Sequence, residues 1–60
     1  MIKTSKMATI GQLNRETGNY VHINRRVYLD EHNNDFVKIN GDFVSIAWLL
    51  GAGRTVDIWF

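Results

Sequence analysis

Asp35-Phe36-Val37-Lys38-Ile39-Asn40-Gly41-Asp42-Phe43-Val44-Ser45-Ile46 decides the fold of this chain. Apolar and polar residues alternate on both sides of Asn40-Gly41, and a period of two is the signature of a strand with one buried face. Asn-Gly between two such runs predicts a two-residue type I′ turn, because both residues accept positive φ there. A β-hairpin is therefore expected over residues 35–46, with Val37, Ile39, Val44 and Ile46 buried together.

Working upstream, Tyr20-Val21-His22-Ile23-Asn24-Arg25-Arg26-Val27-Tyr28 matches Phe36-Val37-Lys38-Ile39-Asn40-Gly41-Asp42-Phe43-Val44 at an offset of sixteen. We read two successive hairpins, the first turning at Asn24-Arg25, either as an internal repeat or as two hairpins with a common pattern. Glu31-His32-Asn33-Asn34 joins them, since Asn tolerates the left-handed region. Further upstream, residues 7–14 form a weaker strand, and Glu16-Thr17-Gly18-Asn19 a loop with Gly18 at positive φ. Downstream, Ile46-Ala47-Trp48-Leu49-Leu50 is either the buried end of a strand or one helical turn capped by Ser45 and stopped by Gly51. Gly51-Ala52-Gly53-Arg54 then turns, and Thr55-Val56-Asp57-Ile58-Trp59-Phe60 reads as a last strand. The expected fold is all-β: an antiparallel meander of five to six short strands, closed or nearly closed. In strand count and length it resembles small SH3-like barrels. Residues 1–6 are expected to form a flexible N-terminal tail, and residues 7–60 a single small β domain.

Composition agrees with that reading. The chain has 60 residues, 45% apolar and 22% charged, with a net charge of +1 and neither cysteine nor proline. This is a globular composition. Without cysteine there is no disulfide and no thiolate metal site, and a reducing, cytoplasmic setting is expected. No apolar run approaches the ~20 residues of a membrane helix, and Met1-Ile2-Lys3-Thr4-Ser5-Lys6 is not followed by the apolar stretch of a signal peptide. The compact pattern that starts at Met1 leads us to expect a complete small gene product. A core of this size supplies roughly 3–5 kcal/mol on its own, so self-association is the expected remedy.

Two-residue turns throughout place Val21, Ile23, Tyr28, Val37, Ile39, Val44 and Ile46 on one face. The other face then carries Tyr20, His22, Val27, Leu29, Phe36, Lys38, Phe43 and Ser45. A three-residue loop over residues 32–34 instead puts Val27 and Leu29 with Val37 and Ile39. On either register both faces are too apolar for a sheet with one side in water, so large apolar side chains are left for a partner.

Tyr20, His22, Phe36, Lys38 and Phe43 form the expected partner-binding face. Ile58, Trp59 and Phe60 form the expected oligomer contact, in a homodimer built near the last strand. Arg25 and Arg26 form a basic turn. The leading expectation is a non-enzymatic β module acting by protein–protein binding or assembly, such as a phage or viral accessory or structural protein. The alternative is a nucleic-acid-binding barrel, in which bases stack on the aromatic rings and Lys or Arg meets phosphate. No basic stripe for a duplex emerges from the expected turns. An enzyme subunit whose site exists only in an oligomer is a third reading, since no nucleophile stands near a base in the sequence. No metal or cofactor is expected. Asp30-Glu31-His32 reads as a polar turn. Gly51-Ala52-Gly53-Arg54-Thr55 lacks the Gly-Lys-Ser/Thr ending and the following helix of a phosphate loop.

Overall fold

Asn40 and Gly41 adopt φ of 52° and 86°, both positive as a type I′ turn requires. The strands they join, β3 (Asp35–Ile39) and β4 (Asp42–Ser45), pair with Ile39 opposite Asp42 and Val37 opposite Val44. This hairpin is as expected. The computed structural model describes the whole chain, Met1–Phe60. Upstream of the hairpin lie β1 (Ile2–Leu13) and β2 (Tyr20–Leu29); after it come α1 (Ile46–Gly51) and β5 (Thr55–Trp59). All five strands form one antiparallel sheet in the order β4-β3-β2-β1-β5. The chain is thus a small all-β meander whose last strand returns to the far side of the first. The sheet does not close into a barrel: β4 and β5 remain its two edges.

The first expected hairpin is absent. Residues 20–29 run straight through Asn24-Arg25 as β2, with Thr9 opposite Asn24 and Ala8 opposite Arg25. Arg25 has a Cβ and resists the positive φ that Gly41 accepts. A partner strand of twelve residues is also present, because β1 starts at Ile2 and not at Met7. The expected tail is therefore sheet. Lys3 faces Tyr28 and Met7 faces Arg26, so residues 4–6 oppose Val27 alone in a bulge. Thr4 fixes it: its hydroxyl donates to the Val27 carbonyl at 2.7 Å and accepts from the Lys6 N–H at 3.1 Å. Arg26 donates to the Thr4 carbonyl at 2.9 Å. A bulge bends its strand, and this one divides the β1–β2 ribbon in two. One half pairs with β5 through residues 7–11, and the other with β3 through residues 27–29.

The observed register joins Val27 to Val37 and Tyr28 to Phe36 across a loop over residues 30–34. This has the parity of the longer-loop alternative, so Val27 and Leu29 share the inner side with Val37 and Ile39, and Tyr28 moves to the outer side. The five-residue loop accounts for the change at Val27, Leu29 and Tyr28, and the absence of a turn at Asn24-Arg25 keeps Val21, Ile23 and Val27 on one face of a continuous strand.

Residues 46–51 take the helical option. Ser45 caps α1 by accepting the Trp48 N–H at 3.4 Å. The stop is Gly53, with φ of 81°, and not Gly51. The Gly53 N–H bonds the Leu50 carbonyl and the Arg54 N–H the Leu49 carbonyl, which is a Schellman motif. The helix lies on the inner face and inserts Ile46 and Leu49 among Ala8, Ile10, Val27 and Val37, completing the buried core. Ile23, Ile39, Val44 and Val56 pack around it. The outer face has no covering layer.

Candidate functional site

The alternation of side chains along each strand sorts the outer face without ambiguity. Tyr20, His22, Phe36, Lys38 and Phe43 all stand on it, as expected, but they do not make one cluster. Tyr20 and His22 lie near the free end of the β1–β2 ribbon, with ring centroids 6.2 Å apart and nearly parallel. Gly11, opposite His22 and Thr55, makes room there, since a Cβ on it would run into the Thr55 hydroxyl and the His22 ring. Tyr20 lies eight residues from Tyr28 along β2, about 27 Å at strand rise, so this pair is remote from Phe36.

The second cluster is denser. Tyr28 and Phe43 meet edge to face at 5.2 Å, and Lys38 Nζ lies 5.6 Å above the Phe43 ring. Phe36 stands on the strand between theirs, opposite both Tyr28 and Ser45 in register. Tyr28 belongs to this cluster, although the shorter register had assigned it to the core. Arg25 and Arg26 do not form a turn. They point to opposite sides of β2, Arg25 inward and Arg26 outward, and both are exposed. Lys3, opposite Tyr28, is a third outward cation.

Five other ionisable side chains are committed locally. Lys6 pairs with Asp35 at 3.6 Å and His32 with Glu31 at 3.6 Å. Asp30 organises its own loop, accepting from the backbone N–H groups of His32 at 2.8 Å and Asn34 at 2.9 Å. The Asn34 N–H is the main cause holding the Asp30 carboxyl below its ordinary pKa.

Ile58, Trp59 and Phe60 fall on β5 and just beyond it. The strand pairs within its own sheet, with Ile58 opposite Ala8 and Trp59 opposite Met7. The Trp59 indole N–H donates to the Thr9 hydroxyl at 2.8 Å, and that hydroxyl donates to Asn24 Oδ1 at 2.8 Å, a polar chain across three strands. Only the far edge of β5 is free. On the inner side, an open groove of about 900 Å³ separates the end of the β1–β2 ribbon from residues 52–54. Arg54 closes part of it by donating to Gln12 at 3.2 Å. No helix is long and apolar enough to cross a membrane. No family model, no curated protein and no solved structure matches this chain.

Proposed function

We propose that the chain is a non-enzymatic assembly module that joins a protein partner, most simply a second copy of itself, through the free edge of β5. The observation that carries this reading is the unprotected state of that edge. Exposed strand edges are normally blunted by Lys, Pro, a bulge or another charge, and along Thr55–Trp59 β5 has only Asp57, while the Ile58-Trp59 end carries none. Ile58 and Trp59 remain 39% and 42% exposed beside it. Antiparallel pairing of two copies about Ile58 sets Ile58 against Ile58 and Trp59 against Asp57, and extends the sheet to ten strands. Pairing centred on Asp57 would oppose two carboxylates.

The non-enzymatic part of the reading is supported by how the reactive residue types are used. Ser45 caps α1, His22 stacks on Tyr20, and His32 sits beside Glu31. A phage or viral accessory role in the cytoplasm rests on the small, cysteine-free composition alone.

Light scattering from about 1 to 100 μM tests the assembly, bracketing the dissociation constant of a contact worth about 8 kcal/mol. A dimer is expected, and Ile58→Lys should return it to monomer with unchanged circular dichroism. A wild-type protein that stays monomeric at the upper concentration overturns self-assembly through β5.

A further inference from the structure

The outer face separates charge in a way the linear sequence conceals. Among the strand residues that point outward, Lys3, Arg26 and Lys38 are cations and Asp57, on β5, is the one acid. Asp35 and Asp42 alternate to the inner side, and Asp30, Glu31 and Glu16 lie in loops. None of the three cations has a carboxylate partner, for the ion pairs of the molecule are Lys6–Asp35 and His32–Glu31. All three are exposed.

They are interleaved with rings. One cross-strand row runs Lys3, Tyr28, Phe36, Ser45 through four neighbouring strands. Arg26 stands two residues along β2 from Tyr28, and Lys38 two residues along β3 from Phe36, with Phe43 opposite Lys38. Rings and cations therefore adjoin within a patch about three strand spacings wide, roughly 14 Å. Phe43 is 43% exposed, and Tyr28 and Phe36 are half-buried. No helix or second sheet lies over them, because α1 packs on the inner face; Lys38 Nζ over the Phe43 ring is the one cation seen on a ring of the patch, and a stacked base would displace it.

We propose that this patch, formed by Lys3, Arg26, Tyr28, Phe36, Lys38 and Phe43, binds single-stranded nucleic acid. Unpaired bases present π-faces that stack on Phe or Tyr, while the backbone phosphates need cations at short range beside those rings. The patch supplies both together. A duplex hides its base faces and is read by an element that enters a groove, and the short helix here lies on the opposite side of the sheet. An acidic protein would also meet the cations and pack against the rings, so an acidic polymer of matched charge is the control that separates the two. The patch is separate from the β5 edge, so the inference does not rest on the assembly reading.

The test is fluorescence anisotropy of a labelled twelve-residue oligo(dT) and its RNA counterpart, titrated with the full chain between 50 and 200 mM salt. Three phosphate contacts predict a log–log salt slope of about −2. Phe43→Ala should weaken binding about tenfold, in the range for one lost stacking partner. Arg26→Glu with Lys38→Glu should abolish binding. Both variants alter exposed residues, and circular dichroism confirms that they remain folded. Should Phe43→Ala prove unfolded, Phe43→Tyr takes its place and must retain the wild-type affinity. Absence of binding at 50 mM salt overturns the proposal. So does equal competition by duplex DNA, or by poly-glutamate of matched charge, which would reassign the patch to an acidic protein partner.

Discussion

Two glycines at the end of α1 have opposite roles. Gly51 is the last helical residue, and a Cβ added there meets nothing within 4 Å. Gly53 has the left-handed conformation that closes the Schellman motif. Gly51→Ala should therefore stabilise the protein by about 0.5 kcal/mol through helix propensity. Gly53→Ala should destabilise it by about 1–2 kcal/mol through the left-handed backbone. Thermal melts check the pair, and the opposite order would return the helix stop to Gly51, where the sequence pattern placed it. Asp30 gives a residue-scale pH dependence. Its folded pKa lies below the unfolded value of about 3.9, so its contribution to stability is complete above that pH. It is lost as the pH falls through the folded value. Replacing Asp30 with Ala should flatten the fall in melting temperature between about pH 5 and 2 and lower the melting temperature at pH 7. A variant that follows the wild-type acid profile would show that the loop is held by other contacts.

At the scale of elements, the β3–β4 hairpin was legible because its turn chemistry is local: Asn40-Gly41 specifies positive φ whatever surrounds it. The false hairpin at Asn24-Arg25 shows the reverse. The local pattern there resembles a turn flanked by strands, but the outcome depends on β1, fifteen residues away, supplying a partner for the full length of β2. The strand over residues 2–6 depends on the same pairing. Thr4 is a strand-favouring residue but stands among Lys3, Ser5 and Lys6, and its value appears only when Val27 and Arg26 are brought to it. Deleting residues 1–6 should consequently destabilise the protein by several kcal/mol, as it strips the Lys3–Tyr28 pairing and the Thr4 contacts from beside the buried Val27. Urea denaturation measures this, and an unchanged midpoint would restore the tail as an appendage. The helix was half legible: Ser45 announced a cap, but a six-residue apolar run has the same appearance in a buried strand.

For the whole molecule, the residue types of the outer face were legible but its electrostatics were not. Tyr20, His22, Phe36, Lys38 and Phe43 do share one side, because the missing turn at Asn24-Arg25 and the odd length of the loop over residues 30–34 each reverse the parity once and cancel. Recognising Arg26, Lys3 and Tyr28 as their neighbours required the register between strands, which the length of the loop over residues 30–34 sets. The return of β5 to β1 was also beyond local pattern, because it joins residues more than forty positions apart, such as Gly11 and Thr55. That return has a consequence for biosynthesis. β1 is made before β5, yet it is an inner strand of the sheet, with one flank reserved for a strand made more than forty residues later. At 5–20 residues per second, roughly 2–9 s pass between synthesis of the two. Until β5 arrives, the flank along residues 7–11 has no backbone partner, and the β5 of another newly made copy offers it the same register.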